Sequence, residues 1–153
     1  MFHLVVRPIA RLLYTETKIK RELDFRHGYV AGYSDRASSE RAVTRDHLVS
    51  HTDDSDVTLN VCLGDDFEGG TLRFYGLRGT SQEGKLIGEY EPARGTAVIH
   101  AGRHLHEVTK VTNGDRYAYI IWARSWNLRG TTCPCCWLNR RQKERCICSP
   151  RWN

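Results

Sequence analysis

From Val57 to Arg124 the chain is cut into short alternating segments separated by turn-forming clusters, and this restricts it to a mainly β architecture. Val57 to Leu63 (VTLNVCL) alternates and is rich in β-branched residues, as a half-buried strand is. Asp65 to Gly70 (DDFEGG) is a turn cluster, Thr71 to Tyr75 (TLRFY) a second strand, and 76–89 a polar, Gly-containing stretch. Thr96 to His100 follows the turn-like PARG as a third strand. Leu105 to Thr112 and Arg116 to Arg124 flank Asn113-Gly114, a dipeptide that strongly favours a tight hairpin. Upstream, 29–33 alternates as a short strand and 34–46 is a polar loop. The helical signal is confined to 8–24, where Pro8 suits a first turn and Ile9, Leu12, Leu13, Glu16 and Ile19 form a partly apolar stripe. Short, closely spaced strands with helix only at the start predict a β-sandwich or a partly open barrel.

A chain of 153 residues has the length of one domain, and we expect that domain over 1–126 with a basic, irregular, Cys-rich tail over 127–153. The tail carries six basic residues (Arg129, Arg140, Arg141, Lys143, Arg145, Arg151) against Glu144, which accounts for the whole net charge of +5. A neutral body with a solvated basic end does not suit a nucleic-acid-binding domain, so no nucleic-acid partner is expected. No run of 18 apolar residues exists, and no membrane span is expected. The opening stretch MFHLVVRPIARLLY is interrupted by Arg7, Pro8 and Arg11 and makes a poor signal peptide, which favours the cytoplasm or nucleus.

His51-Thr52-Asp53 places an imidazole and a carboxylate two residues apart, and in extended chain residues i and i+2 point to one face. One strand end can therefore offer both to one ion. A third ligand is available from the later His100, His104 or His106. Two histidines and one carboxylate with open positions form the facial arrangement of non-haem iron(II) oxygenases. Taken alone, His-x-Asp in the run HTDDSD reads more readily as a polar turn capping a strand than as a metal site.

The segments HTDDSDVTLNVCLGDDFEGGTLRFYG and PARGTAVIHAGRHLHEVTKVTNGDRYAYIIWARS combine that His-x-Asp with TLNV, FEGG, a late His-Glu-Val and a Gly-x-Arg-Tyr ten residues beyond that His. This joint pattern, from about residue 29 to 126, resembles the prolyl 4-hydroxylase-like Fe(II)/2-oxoglutarate-dependent dioxygenases, and most closely the 2-oxoglutarate and iron-dependent oxygenase domain-containing proteins. The resemblance implies a double-stranded β-helix (jelly-roll, cupin-like), with His51, Asp53 and His106 as ligands of Fe(2+). His106 is preferred over His104 and His100 because Glu-Val follows it. The resemblance further implies that Arg116 pairs with the distal carboxylate of 2-oxoglutarate, which a planar guanidinium can grip through two parallel hydrogen bonds. Tyr33, with Tyr29 as second choice, is the tyrosine expected to bond that co-substrate, and Asn60, Thr96 and Trp122 are further lining candidates. O2 as a substrate, L-ascorbate as reductant and a protein or peptide substrate with a target prolyl residue complete what the resemblance implies. A carboxylate at Asp53 argues against the halogenating relatives.

Two strands joined at Asn113-Gly114 impose a geometric condition. For His106 and Arg116 both to face inward, the connecting loop must be odd-numbered, such as Asn113-Gly114-Asp115, or bulged. Val108, Ala118, Ile120 and Trp122 then face inward with Arg116. Relatives also carry more helix before the Tyr33 strand than the roughly 25 residues available here, so an N-terminally truncated domain is expected. In the tail, Cys133-Pro134-Cys135-Cys136 and Cys146-x-Cys148 are open to a zinc site, disulfides or free thiols. A non-catalytic binding module, or a cupin-like metal protein that uses no 2-oxoglutarate, stands as the rival to an enzyme.

Overall fold

Two antiparallel sheets face each other across one interior, in a computed structural model that describes residues 1–14, 23–36, 45–64, 66–77, 80–131 and 133. The strands are β1 (Phe25–Ser34), β2 (Leu48–His51), β3 (Val57–Cys62), β4 (Phe67–Gly69), β5 (Leu72–Tyr75), β6 (Leu86–Tyr90), β7 (Ala97–Ala101), β8 (His106–Val108) and β9 (Val111–Arg124). The major sheet runs β1-β9-β3-β7 with β4 on the start of β9, and the minor sheet runs β2-β8-β5-β6. Such a pair of interleaved antiparallel sheets is a double-stranded β-helix, as expected.

Alternation divides β3 and β9 between two cores. Val57, Leu59, Ile121 and Ala123 face outward and bury Phe2, Val6, Ala10 and Leu23. The register pairs Thr58 with Trp122, Asn60 with Ile120 and Cys62 with Ala118, and these even-numbered residues face the interior. There Tyr33, Leu72, Val108 and Val111, drawn from both sheets, form a second core. Burial on both faces explains why β3 reads as a nearly continuous buried run.

The N-terminal helix differs in phase from the sequence expectation. A π-helical turn (Phe2–Val6) leads into α1 (Arg7–Leu13), and the buried stripe is Phe2, Val6 and Ala10, spaced four apart. Leu12 and Leu13 are exposed, because the large Phe2 ring sets which side meets the sheet. The end of the expected helix, 15–22, and most of the expected loop, 37–44, lie outside the described residues.

The Asn113-Gly114 hairpin does not form. β9 runs unbroken through both residues, while β8 belongs to the opposite sheet. Gly114 takes φ +79° inside the strand and pairs with Phe67 of β4, whose pairing with β9 shifts register between Glu68 and Gly69. The positive-φ glycine thus serves a strand irregularity rather than a two-residue turn. The odd-loop condition lapses with the hairpin, since His106 and Arg116 reach the interior from different sheets. Arg116, Ala118 and Ile120 are buried and Val108 faces them, but Trp122 is only half-buried. Two strands escaped the pattern, β2 ahead of the His-x-Asp and β6 within the polar stretch 76–89. The tail begins with α2 (Trp126–Thr131), where the Trp126 ring packs on Phe25 at 5.2 Å, and the cysteines beyond Cys133 lie outside the described residues.

Candidate metal centre

His51 and His106 are direct cross-strand partners on β2 and β8, with ring centroids 4.4 Å apart. The chain then leaves the minor sheet for β3, and Asp53 sits in that crossing, its N–H held by the Gly102 carbonyl at 2.9 Å. A Cβ on Gly102 would lie 2.1 Å from the Ser55 carbonyl oxygen, so the crossing closes only over glycine. Asp53 Oδ1 stands 3.6 Å from His51 Nε2 and 3.7 Å from His106 Nε2, and the three ligand atoms lie within 4.8 Å of one another. Bonds of about 2.0–2.2 Å from imidazole and carboxylate to a divalent ion let such atoms converge on one metal.

Each histidine is oriented by its own strand. His51 Nδ1–H donates to the Val49 carbonyl at 2.8 Å, and His106 Nδ1–H donates to the His104 carbonyl at 2.9 Å. Both rings therefore turn Nε2 toward Asp53, and in the neutral imidazole that nitrogen carries the lone pair a metal requires. Thr58 Oγ1 donates to Asp53 Oδ2 at 2.6 Å and is itself bonded by Ser55 at 2.7 Å, which leaves Oδ1 facing the histidines. Burial opposes ionisation of Asp53, but the bonds from His51 and Thr58 and the neighbouring imidazoles outweigh it and hold the carboxyl below its ordinary range. Burial presses the His51 imidazole toward neutrality, yet Asp53 and the Val49 carbonyl leave it more basic than usual. Burial dominates at His106 and keeps it neutral further into acid.

The triad opens onto a cavity lined also by Tyr29, Tyr33, Asn60, Leu72, His100 and Ile120. His104, the rival third ligand, contributes its carbonyl to His106 while its ring sits 6.5 Å from Phe74. His100 is buried beside the site, its Nδ1–H donated to the Ala101 carbonyl at 3.0 Å and its Nε2 3.8 Å from Asp53 Oδ2. Burial pushes its pKa down to about 3. The sequence offers His100 as a candidate ligand, and it lies beside the site as the partner of Thr58 in the pairing of β3 with β7. Thr96 bonds the Ala93 carbonyl and Tyr90 within its own turn and is not part of the wall.

Arg116 and Tyr33 are opposite one another on β9 and β1, and the guanidinium carbon lies 5.2 Å from the Tyr33 ring centroid. Arg116 is 0% exposed, and its Nε, Nη1 and Nη2 are all without a hydrogen-bond partner among the described residues. Burial depresses its pKa, and it raises that of the Tyr33 phenol against the opposing pull of Arg116. Five buried donors without acceptors form a cradle for an anion, and a dicarboxylate chelating the metal would bring one. The FEGG turn makes room for this cradle. Gly70 has φ +67°, and a Cβ there would lie 2.8 Å from Arg116 Cδ and 3.2 Å from Val111 Cγ2. Gly70→Ala is expected to cost roughly 1–2 kcal/mol from the backbone alone and to displace Arg116. Denaturant unfolding and 2-oxoglutarate titration would both record the loss, and a variant unchanged in both would show that the glycine does not shape the cradle.

Glu107, between His106 and Val108, faces the other way. It accepts the Tyr75 hydroxyl at 2.7 Å and the Ser50 hydroxyl at 3.0 Å, and so ties β2, β8 and β5 together on their outer face. The Tyr75 bond is the main reason its carboxyl titrates below the usual range. The Glu of the His-Glu-Val motif is thus a brace for the strand that carries the ligand.

A family model described as the 2OG-Fe(II) oxygenase superfamily matches residues 32–124. The 2-oxoglutarate and iron-dependent oxygenase domain-containing protein ICU11 of Arabidopsis thaliana is 34% identical over 154 residues, covering 92% of this chain and 37% of its own length. A PKHD-type hydroxylase of Caulobacter sp. is 33% identical over 102 residues, covering 65% of this chain and 41% of its own. Among solved structures, a Pseudomonas putida prolyl-4-hydroxylase aligns with a TM-score of 0.49 and 20% identity, over 67% of this chain and 54% of its own. The chain spans well under half the length of the curated relatives it matches.

Proposed function

The chain belongs to the 2OG-Fe(II) oxygenase superfamily, and from that premise we propose that it is an Fe(II)- and 2-oxoglutarate-dependent dioxygenase that hydroxylates a protein or peptide substrate. His51, Asp53 and His106 would hold the iron, and Arg116 with Tyr33 would hold the co-substrate. The observation that carries the reading is the orphaned Arg116 guanidinium on the inner face shared with the triad. A binding module without a co-substrate would have no use for a buried cation that only the Tyr33 ring faces and no acceptor among the described residues satisfies. The bound iron and 2-oxoglutarate supply the redox chemistry, in which O2 is divided between succinate and the hydroxylated product, with CO2 released. Ascorbate as the reductant belongs to the same reading.

The chain's own contribution is position and exclusion. Thr58 and the two backbone carbonyls fix the ligands before the metal arrives, so little reorganisation accompanies loading. Leu72, Val108 and Ile120 supply apolar wall around the polar groups. Across β1 and β9, His27, Tyr29 and Trp122 form an aromatic group with centroids 5.4–6.3 Å apart, and Trp122 Nε1 is a buried donor without a partner among the described residues. Tyr29 lines the cavity itself. Aromatic faces with a spare indole N–H suit an extended, proline-containing peptide, and the PKHD-type relative is named a hydroxylase. Residues 1–126 would form the oxygenase unit, with 127–153 outside it.

Succinate release from 2-oxoglutarate in the presence of iron(II) and O2 tests the proposal. We expect iron-dependent turnover by the wild-type chain even without substrate, stimulated by a proline-rich peptide. Iron and 2-oxoglutarate bound with no succinate formed under either condition would favour the non-catalytic module.

A further inference from the structure

We propose that the free edge of β1 is a strand-addition site, where the peptide substrate pairs with the outward-facing backbone of Arg26, Gly28, Val30 and Gly32 and so carries its target residue over the metal cavity. The inference rests on the dioxygenase reading and adds how the substrate is held.

β1 ends the major sheet, and β2 ends the minor sheet. Tyr29, Ala31 and Tyr33 of β1 line the metal cavity, as do Leu48 and His51 of β2. The cavity therefore lies between the two unpaired edges, and a strand added to β1 would cross its opening. The edge is accessible, since every residue from Arg26 to Val30 is exposed. It is also unguarded. Free edges are usually blunted by lysine, proline or a bulge, whereas β1 contains no lysine or proline and pairs with β9 in unbroken register.

The hydrogen-bonding direction follows from the neighbours. Tyr117 of β9 accepts from Leu63 on the β3 side, and Gly114 accepts from Asp35 on the β1 side. Backbone bonds alternate sides along a central strand, so the odd residues of β9 bond β3 and the even ones bond β1. Those even residues stand opposite the odd residues of β1, from Phe25 to Tyr33. The even residues of β1 therefore turn N–H and C=O away from the sheet, as Ser34 does in donating to the Arg45 carbonyl at 3.0 Å. Arg26, Gly28, Val30 and Gly32 have no backbone partner on that side among the described residues.

The same alternation says where a proline can stand. Side chains of an added strand share the face of the β1 residues they oppose. A residue opposite Ala31, the small side chain between Tyr29 and Tyr33, would point into the cavity. Its own N–H and C=O would point away from β1, and its two neighbours would bond Val30 and Gly32. Proline, which has no N–H to give, thus costs no bond at the one position that faces the metal.

The test incubates the wild-type chain with Fe(II), 2-oxoglutarate, O2 and a library of short peptides that have a central proline and random flanks. Gain of one oxygen is read by mass spectrometry, and the best peptide is resynthesised. N-methylation of either residue adjacent to the proline should weaken turnover about tenfold or more, through loss of a bond to Val30 or Gly32. N-methylation of the next residue out on either side should leave turnover near that of the parent. Val30→Pro deletes one outward N–H and no bond to β9, so the peptide KM should rise about tenfold or more. Succinate formation without peptide should stay at the wild-type level in Val30→Pro, and Val30→Thr should match wild type in both measurements. The N-methyl scan uses the unaltered chain and decides the matter if Val30→Pro does not fold. Equal loss at every N-methyl position, or loss at none, would overturn the inference. Slow hydrogen exchange of the Arg26, Gly28 and Val30 amides in the free chain would also overturn it, because another segment or a second copy would then hold the edge. A library that yields no product overturns it too. Succinate formed without peptide would in that case leave the dioxygenase reading standing, and its absence would remove both.

Discussion

Replacing Asp53 by alanine is expected to abolish succinate production and to lower Mn(II) or Fe(II) affinity by more than about 100-fold. Groups that only orient metal ligands already cost 10–100-fold when removed, and Asp53 is the central ligand of the proposed site. Its Oδ1 is the atom that faces both histidines, at 3.6 and 3.7 Å. It is also the one anion among the three, so without it two neutral imidazoles would have to hold a dication alone. Asp53→Asn makes the sharper control. It keeps the shape and a hydrogen-bonding group opposite Thr58, and removes the charge. Both variants should bind metal weakly, and Asn should retain more of the metal-free stability because Thr58 and Ser55 keep a partner. Equilibrium dialysis with Mn(II) reads the first effect and denaturant unfolding the second. Affinity within tenfold of wild type in Asp53→Ala would mean that these three residues are not the site.

Arg116→Met is expected to move binding and stability in opposite directions. The guanidinium is fully buried, and Nε, Nη1 and Nη2 have no hydrogen-bond partner among the described residues. Its desolvation is uncompensated apart from stacking on Tyr33. Methionine has similar reach and no charge, so the metal-free protein should gain about 1–3 kcal/mol. The 2-oxoglutarate complex should lose at least about 100-fold in affinity, because the distal carboxylate would then be buried without a counter-charge. Calorimetry of the Mn(II) form and unfolding of the metal-free form measure the two sides. Stability that falls by several kcal/mol, with co-substrate affinity unchanged, would mark Arg116 as a structural residue whose partner is not the co-substrate.

The sequence was most legible where a local pattern has a local cause. β3, β5 and β7 follow from alternation, and the FEGG cluster from its glycines. The double-stranded β-helix came from the resemblance rather than from any periodicity. Long-range pairing was the part that did not show. Asn113-Gly114 is the residue pair that makes tight turns, but its glycine is used inside β9, whose partners β1 and β3 lie dozens of residues upstream. β6 was hidden because Gly88 and Glu89 interrupt its apolar residues. The helix stripe was misphased because Phe2, at the very start, outweighs the leucines that follow. Asn60 as a lining residue and His100 as a candidate ligand are both legible in the sequence. Polar residues at every second position of an otherwise apolar strand, as in VTLNVCL, fit a strand covered on one side and lining a site on the other.

The two-faced character of β9 bears on which changes of length this chain can survive. Its even residues carry Arg116 and the cavity wall, while Ile121 and Ala123 hold the N-terminal helices. A single-residue insertion or deletion between 115 and 121 would invert every residue on one side of it. Either the clamp would turn toward the helices or the helix-binding face would turn toward the iron. A two-residue change would keep the faces but move the clamp by about 7 Å along the strand, more than a guanidinium can make up. Substitutions can accumulate on either face independently, whereas gains and losses of residues are confined to the loops outside it.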